Sequence, residues 1–446
     1  MRRVLLFLPL FLSALCLPAH ALDRQPNADY RARREALAKK VNGVALIFAD
    51  TEGAGPNALH GFRQSDNFYY LSGWAEPGAA LLVASAREAK DDLPARPYTE
   101  ILFLPRRDMV EERWTGAKLG PDSPEAVSAT GFDRVEVLSK LDEELPNFLA
   151  AGDKVYTELA GSGEVSPSSG ALEWLKRTRA ISARIPTADV KTALAALRTI
   201  KDAGEIELIR KATEASMAGH RSVMRTLKPG MTEREVGAIL HYEWERRGCE
   251  RDAYAPIVGA GFNGTVLHYS ENSGMVHPYD TVVIDAAGEY SMYATDITRT
   301  LPANGKFTAR QREIYDIVLG AQEAAMATFQ SGKSSLGRAT PDSLYKIAHD
   351  YINSHGKDLH GEPLGKYFIH GLGHYVGLNV HDEGDYTIPL GPGMVFTIEP
   401  GIYIPEEKLG VRIEDMFYVD QNGKLIQMTT ALPRTADAVE RAMAGK

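Results

Sequence analysis

Cysteine is scarce in this chain, and its scarcity limits what can hold the fold together. The 446-residue sequence contains only two cysteines, Cys16 and Cys249. Cys16 lies in an N-terminal segment that we expect to be removed, so the mature chain would keep one cysteine and could form no internal disulfide. The fold must then rest on its hydrophobic core. Hydrophobic residues make up 44% of the sequence, which is ample for a large core divided between two or three domains.

Concentrated positive charge and long internal apolar runs are also lacking. The formal net charge is -9, and the basic residues form no patch beyond short stretches such as residues 31–34. Nucleic-acid binding is not expected, because it depends on a basic surface. Beyond the first residues no apolar run is long enough to cross a bilayer, so we expect no stable membrane insertion once the N-terminal segment is removed.

Residues 1–21 have the pattern of a secretion signal. Arg2 and Arg3 form a positive start, residues 4–17 form an apolar run, and residues 19–21 (Ala-His-Ala) fit an A-x-A cleavage site. The mature chain would begin at Leu22, and the protein would be periplasmic or secreted. The alternative is an N-terminal membrane anchor, but the apolar run is short for a membrane span and is interrupted by proline.

The remaining sequence indicates two domains of different class. In residues 22–187, helical patterns alternate with strands at 44–49, 81–84 and 99–104, which predicts an α/β domain. The second domain, residues 188–446, begins with a long helical segment. Gly204 is expected to interrupt this segment, so two helices are as plausible as one.

The rest of the second domain combines strands and helices in separate runs. Thr232 to Glu235 fits a capping box that opens a helix. From residue 255 onward, strands with glycine-rich turns dominate, and helices are predicted near 308–330 and 341–354. This order predicts an α+β domain.

Five potential metal ligands lie along this domain: Asp285, Asp296, His374, Glu399 and Glu414. Four carboxylates and one imidazole suit two hard divalent cations that share a site, and such a site activates water for hydrolysis. Two divalent cations would also balance the four acids, which are costly to bury unpaired in apolar strands. The alternative is that the acids lie solvated at sheet edges and that the histidine is incidental.

The spacing of the acids predicts how they meet. A hairpin that turns about Tyr290 and Ser291 would place Asp285 opposite Asp296, and a second hairpin would place Glu399 opposite Glu414. Facing residues on antiparallel strands have Cβ atoms about 4.5–5.5 Å apart, which suits metals about 3.5–4 Å apart. We therefore predict two hairpins side by side with the metals between them.

Three further histidines, His268, His370 and His381, lie in or near the same region. An imidazole there can donate to a substrate carbonyl or stabilise an oxyanion. Each of them could equally be a buried histidine that hydrogen-bonds to the backbone. His370 and His374 do not form an H-E-x-x-H motif, because Gly371 follows His370.

Several segments together resemble a known family. They read LHYSEN, VVIDAAGEYSMYATDITRTLPANGKFTARQREIY, HGLGHYVGLNVHD, FTIEPGIY and GVRIED, in that order, and cover most of residues 190–430. They resemble the pita-bread metallopeptidases, and among these the Xaa-Pro aminopeptidases (aminopeptidase P) and prolidases. In the first domain, HGFRQSDNFYYLSG and RRDMVEERWTGAKLG resemble aminopeptidase P more than the single-domain methionine aminopeptidases.

The resemblance implies a fold and a metal centre. It implies an α/β creatinase-like N-terminal domain followed by an α+β pita-bread catalytic domain, with two divalent ions, usually Mn²⁺. Asp285 would bind one metal through both oxygens, Asp296 and Glu414 would bridge the two metals, and His374 and Glu399 would complete the other.

The resemblance also implies roles around the metals. Glu399 would act as general base or proton shuttle, His268 and His381 would contact the substrate and stabilise the intermediate, and His370 would line the pocket. Two further residues would bind substrate: Arg412, beside the bridging glutamate and expected to orient it, and Trp114. The latter matches a tryptophan that reaches a neighbouring subunit's site in some tetrameric members, which implies a homo-oligomer, a dimer or a tetramer.

One position departs from the family pattern. The family often has an aspartate just before the aromatic residue in F-R-Q-x-x-D-F, whereas here this place is taken by Asn67 and an aspartate, Asp66, precedes it. The family's contact near the substrate amino terminus is therefore not assured in this chain.

Three functions remain in competition. The first is an exported aminopeptidase in which a metal-bridging hydroxide hydrolyses the Xaa-Pro bond of peptides with proline at the second position. The second is a prolidase, with the same chemistry restricted to dipeptides. The third is a non-catalytic peptide-binding relative, although such relatives typically lose metal ligands and all five are present here.

Overall fold

The computed structural model describes residues 22–52, 61–89, 93–150, 152–159, 168–181 and 185–445. The predicted signal segment, residues 1–21, lies outside the described residues. Among the described residues, none of the helices is both long and apolar enough to pass through a membrane.

The first part of the chain is built around a six-stranded mixed sheet with strand order β4-β3-β2-β1-β5-β6. The strands are β1 Val44–Phe48, β2 Ala80–Ala84, β3 Thr99–Leu104, β4 Arg134–Val137, β5 Val155–Thr157 and β6 Thr187–Asp189. The helices are α1 Asn27–Val41, α2 Asp66–Ser72, α3 Glu112–Thr115, α4 Ala126–Thr130, α5 Leu141–Glu144 and α6 Ser169–Ile181. Because β6 pairs with β5, the expected boundary between residues 187 and 188 falls within a strand of this sheet.

Both faces of this sheet are buried, and one of them joins the second part of the chain. Alternate residues of β1 point to opposite faces, so Leu46 packs in one hydrophobic cluster and Ile47 in another. The cluster that contains Ile47 also contains Tyr293, Val376 and Met416 of the second part. The two parts therefore share a continuous apolar core.

The second part surrounds short antiparallel sheets with helices. The helices are α7 Lys191–Arg198, α8 Ala203–Thr226, α9 Glu233–Glu245, α10 Ala309–Thr328, α11 Leu344–Ser354 and α12 Ala436–Met443. The strands are β7 Arg251–Asp252, β8 Ile257–Ala260, β9 Thr281–Asp285, β10 Gly288–Glu289, β11 Thr298–Pro302, β12 Val395–Ile398, β13 Gly401–Ile404, β14 Leu409–Arg412, β15 Asp415–Val419 and β16 Leu425–Gln427. The predicted α/β and α+β classes are confirmed.

The helix boundaries of the second part coincide with capping residues rather than with the position of a glycine. The capping box at Thr232 and Glu235 opens α9 as predicted. The long helical segment is indeed two helices, but the expected break at Gly204 is wrong. The first helix ends at Arg198. The second helix, α8, begins after Asp202, whose side chain accepts a hydrogen bond from the backbone N–H of Glu205 and so forms a capping box with that residue.

We predict that a buried ion pair in the first part is essential for stability. Arg34 and Glu100 are fully buried and joined by two hydrogen bonds of 2.9 and 3.0 Å. Replacing Arg34 with alanine leaves the carboxylate buried without its main partner, which should lower the free energy of unfolding by about 3–5 kcal/mol. Arg177→Ala, which breaks an exposed pair with Asp142, is the matched control and should have little effect. Equal urea midpoints for the two variants would contradict this prediction.

Candidate metal centre

The first acidic pair is brought together by a hairpin whose turn differs from the prediction. Strands β9 and β11 pair antiparallel with Asp285 opposite Thr298, so the expected facing of Asp285 and Asp296 is wrong. The turn lies at Ser291 and Met292, one residue later than predicted, and both residues have positive φ (49° and 73°). Two such residues are what a tight type I′ hairpin turn requires. Moving the turn by one residue shifts every facing pair by two, so the two aspartates are diagonal neighbours.

The second acidic pair meets as predicted. Ile398 pairs with Asp415, and Gly401 pairs with Arg412. The β12–β15 and β13–β14 pairs therefore have the same register, and this register places Glu399 directly opposite Glu414 in the short interruption between them. The chain reverses between the two strands at Pro405–Glu407.

The five predicted ligands converge at one place. His374 Nε2 lies 3.3 Å from an Asp296 oxygen, 3.5 Å from a Glu399 oxygen and 3.9 Å from a Glu414 oxygen. Ligand atoms of Asp296, His374 and Glu414 all lie within 4.8 Å of one another. Asp285 is joined to this group through Tyr254, whose hydroxyl lies 2.6 Å from Asp285 Oδ1 and 2.5 Å from Asp296 Oδ1.

The ring of His374 is oriented as a ligand would be. Its Nδ1 lies 3.2 Å from the backbone carbonyl of Tyr375, and assigning the proton to this nitrogen leaves the Nε2 lone pair facing the carboxylates. A backbone or carboxylate partner on the far nitrogen is typical of histidines that bind metals.

A chain of hydrogen bonds links His370 to Asp285. Arg412 Nη2 donates to Asp285 Oδ2 at 2.6 Å, and its Nη1 donates to the hydroxyl of Tyr403 at 2.7 Å. The same hydroxyl lies 2.9 Å from His370 Nε2. Arg412 was expected to orient the bridging glutamate; its direct carboxylate partner is Asp285, and it reaches Glu414 only through Thr298.

Glu414 is held by a threonine rather than by the guanidinium. Thr298 Oγ1 donates to Glu414 Oε2 at 2.7 Å and itself accepts from Arg412 Nε at 3.1 Å. Glu414 Oε1 is buried and has no hydrogen-bond partner among the described residues. A carboxylate oxygen that is buried and unpaired costs free energy, and a cation in contact with it would remove that cost.

The pKa of one of the four acids is lowered, and the pKa values of the other three are raised. Burial acts to raise the pKa of Asp285, but the charge of Arg412 and the hydrogen bond from Tyr254 outweigh it, so this pKa is lowered. Burial, followed by the charge of Asp285, raises the pKa of Asp296 well above its usual range. Burial and then the charge of Asp296 do the same to the pKa of Glu414, and burial also raises the pKa of Glu399.

This set of side chains fits two divalent cations. Among the described residues, Arg412 is the one guanidinium that pairs with any of these carboxylate groups, which leaves several buried carboxylates without a compensating charge. Oxygen-rich sites with an imidazole suit hard or borderline divalent ions, and bound cations would stabilise the ionised acids. Asp285, Asp296, His374, Glu399 and Glu414 are the residues that would hold them.

The other histidines border the same cavity. The ring centroid of His381 lies 4.1 Å from that of His374, and burial, followed by the charge of His374, lowers the pKa of His381 to about 4. Burial and then the charge of Arg412 lower the pKa of His370 to about 3. Both rings are therefore neutral near pH 7. His268 is exposed and lines the cavity.

Residues from outside the metal centre anchor the segment that carries His381. The next residue, Asp382, is buried and accepts from Arg198 and, at 2.9 Å, from Lys201 Nζ. Arg63 of the first part donates to the backbone carbonyl of Leu378 at 2.7 Å. The position of His381 thus depends on contacts with the end of α7, with the segment between α7 and α8, and with the first part of the chain.

Trp114, a predicted substrate contact, and Asn67, the position that departs from the family pattern, lie away from the cavity. Trp114 is 87% exposed on α3 and is not among the residues that line the cavity. Asn67 is buried, donates to Glu158 and accepts from Arg198, so its amide is engaged in the interior. Neither residue touches the metal centre of its own chain in the described structure.

Sequence reasoning missed two tyrosines at the centre. Tyr403 lies inside the motif FTIEPGIY, four residues after Glu399, so a strand pattern could have placed its side chain near that acid. Tyr254 lies between β7 and β8, in a stretch that has no recognisable ligand spacing. Only the folded chain brings it to the aspartates.

We predict that Asp296→Ala removes at least one of the two metal ions. Asp296 contacts both Tyr254 and His374, so its loss opens the middle of the carboxylate cluster. Metal content measured on the purified variant by mass spectrometry should fall, and hydrolytic activity should be almost lost. Asp437→Ala, which removes an exposed carboxylate on α12, is the control. Wild-type metal content in Asp296→Ala would show that the ligand assignment is wrong.

Removal of metal should make stability depend on pH in a defined direction. Because the pKa values of Asp296 and Glu414 are raised, their contribution to stability is present below about pH 4, the usual range for free acids, and is lost as the pH rises through their folded pKa values. Bound cations favour the ionised acids, so the stabilisation by metal should grow with pH. The rise in Tm when Mn²⁺ is added to chelator-treated protein should be larger near pH 8 than near pH 5. A smaller rise at the higher pH would contradict this account.

The chain and its fold match known proteins over nearly their whole length. A model of "Metallopeptidase family M24" matches residues 207–421, and a model of "Aminopeptidase P, N-terminal domain" matches residues 30–156. The Xaa-Pro aminopeptidase of Escherichia coli (strain K12) is 33% identical over 443 residues, which are 93% of this chain and 97% of that protein.

Solved structures agree with the sequence matches. Aminopeptidase P from Escherichia coli with the inhibitor Pro-Leu has a TM-score of 0.79 and 30% identity, and covers 95% of this chain and 99% of its own. Aminopeptidase PepP from Pseudomonas aeruginosa has a TM-score of 0.80 and 30% identity, with the same coverage. The chain therefore belongs to the aminopeptidase P family of M24 metallopeptidases, with the family's N-terminal domain followed by a pita-bread catalytic domain.

Proposed function

We propose that the protein is an exported Xaa-Pro aminopeptidase with a dinuclear metal centre, which releases the N-terminal residue from peptides whose second residue is proline. The enzyme class, a metal-dependent Xaa-Pro aminopeptidase, is that of relatives matched over nearly the whole chain. The observation that carries the proposal is the convergence of four carboxylates and His374 in one cavity, with neutral histidines beside them.

The metal ions would be held by the five converging side chains, and manganese is the ion we expect. When bound, two such ions lower the pKa of water and polarise the carbonyl of the scissile bond. Asp285 is already fixed by Arg412, and Glu414 by Thr298, so both present their oxygens in defined directions. Such outer partners keep ligands in place and are needed for tight binding.

Glu399 is the acid best suited to move a proton. Its side chain is the most exposed of the five ligands, at 15%, and its hydrogen bond with Thr397 is long, at 3.4 Å. The carboxylate is therefore loosely held and accessible from the cavity. We assign it the role of general base or proton shuttle, which takes a proton from the attacking water and returns one to the departing proline nitrogen.

The histidines that border the cavity would bind the substrate. His381 and His268 border the cavity next to the ligand His374, where a ring N–H can donate to the carbonyl oxygen as charge develops on it. His370, tied to Tyr403 and through it to Arg412, would form part of the pocket wall. Because proline lacks a backbone N–H, recognition must rely on shape and on the carbonyl rather than on that donor.

The size of the cavity favours an aminopeptidase over a dipeptidase. Its volume is about 1190 Å³, which exceeds the range of about 300–1,000 Å³ that is usual for pockets that bury small ligands. Ile200, Tyr386 and Ile388 line it beyond the metal ligands. This apolar surface gives room for peptide residues that follow the proline.

We also propose that the active form is a homo-oligomer. Trp114, Met109 and Val110 are 87%, 66% and 66% exposed and lie close together in sequence. Exposed apolar clusters of this kind are typical of interaction surfaces. A second copy of the chain that covers α3 would bring Trp114 towards the neighbouring cavity.

Export rests on the sequence of residues 1–21. The N-terminal sequence of the protein recovered from the periplasm or the culture medium tests it, and the expected first residue is Leu22. Recovery of the intact chain in the cytoplasm would contradict export without affecting the assignment of the enzyme class.

A comparison of matched peptides tests the function. We expect metal-loaded protein to release the first residue from Xaa-Pro-Yaa tripeptides, and to cleave Xaa-Pro dipeptides more slowly, because the cavity offers contacts beyond proline. Exhaustive chelation should abolish activity and added Mn²⁺ should restore it. Xaa-Ala-Yaa peptides are the specificity control. Rapid cleavage of dipeptides alone would favour a prolidase, and activity that survives chelation would contradict the metal mechanism.

Trp114→Ala should lower the activity of the site in the neighbouring subunit. Alone, the variant is expected to lose activity while keeping its metal, whereas Tyr242→Ala, which removes an exposed aromatic side chain elsewhere on the surface, should keep both. Co-expression of Trp114→Ala with Asp296→Ala should restore part of the activity, because a mixed oligomer contains sites with both residues intact. If co-expression restores nothing while mixed oligomers form, Trp114 does not act in a neighbouring site.

A further inference from the structure

A single phenol lies between two of the acids at the metal centre. The Tyr254 hydroxyl oxygen is 2.6 Å from Asp285 Oδ1 and 2.5 Å from Asp296 Oδ1. The tyrosine belongs to the segment between β7 and β8, whereas the aspartates lie on the β9–β11 hairpin. A segment outside that hairpin therefore connects Asp285 with Asp296.

These contacts fix how the two carboxylate groups are turned. Asp285 has Oδ1 on Tyr254 and Oδ2 on Arg412, and Asp296 has Oδ1 on Tyr254 and Oδ2 facing His374. The Asp285 carboxylate is held at both oxygens and cannot rotate about its terminal bond without losing a contact, and the phenol fixes Oδ1 of Asp296. The phenol thus sets the direction of the oxygens that would face a cation.

The ring of Tyr254 has little part in the core. Among the described residues, none of the three hydrophobic clusters includes Tyr254, either as a buried member or as a residue packed against them. A phenol has one proton, so it can donate to one aspartate at a time and lies between the pair. The function of the side chain is therefore best sought at its hydroxyl.

We infer that Tyr254 is a positioning residue that holds Asp285 and Asp296 at the spacing two metal ions require. This inference rests on the proposed metal centre. Without the hydroxyl, the two acids lose the donor between them and are free to turn apart, so metal ions must reorganise the site as they bind. Loss of an outer partner of a metal ligand typically weakens metal binding about 10–100-fold.

Metal affinity measured directly on Tyr254→Phe tests the inference. This variant removes the hydroxyl and keeps the ring, and Mn²⁺ affinity is measured by competition with a chelator of known affinity. Tyr315→Phe is the matched control, because it removes a buried tyrosine hydroxyl that donates to the Arg434 carbonyl, away from the aspartates. We expect affinity to fall about 10–100-fold in Tyr254→Phe and not in the control.

A spectroscopic measurement separates positioning from general loosening. Two adjacent Mn²⁺ ions give an exchange-coupled electron paramagnetic resonance spectrum, which should weaken in Tyr254→Phe at metal concentrations that saturate the wild type. Equal affinity and equal spectra for Tyr254→Phe and the wild type would overturn the inference. If the wild type itself binds no metal, the proposed function fails instead, so the two failures are distinguishable.

Discussion

The structure depends on the concentration of negative charge in one buried place. Asp296, Glu399 and Glu414 surround the imidazole of His374, Asp285 is joined to them through Tyr254, and Arg412 compensates only Asp285 directly. Burial of several carboxylates costs many kcal/mol unless opposite charge accompanies them. The raised pKa values of Asp296 and Glu414 reflect this unbalanced state. Divalent cations bound among these acids would balance the charge, and the same cations would supply the chemistry of the proposed reaction.

The scaffold makes this arrangement possible by placing the acids where strands end or break. Asp285 ends β9, and Glu399 and Glu414 lie at the gap that separates β12 and β15 from β13 and β14. Ladder hydrogen bonds hold the backbone on each side, so the side chains have little freedom to separate. Contacts from Arg63 and Arg198 extend this control to the segment that carries His381, which explains why a domain without metal ligands bears on the site.

The sequence allowed the fold class, the second acidic pair and the convergence of the five side chains to be predicted, because these depend on strand periodicity and on charge. The first acidic pair was misplaced, since a turn moved by one residue changes the register by two, and positive φ at Ser291 and Met292 cannot be foreseen for non-glycine residues. Tyr254 and the contacts of Asp382 were missed because they join segments far apart in sequence. Such contacts leave no local pattern.

The most direct test of the central claim is a crystal structure of the Mn²⁺-loaded protein with anomalous diffraction data. Two anomalous peaks about 3.5–4 Å apart are expected, surrounded by the oxygens of the four acids and by Nε2 of His374. Absence of peaks at this position, or a fold in which the five side chains point away from one another, would contradict the account.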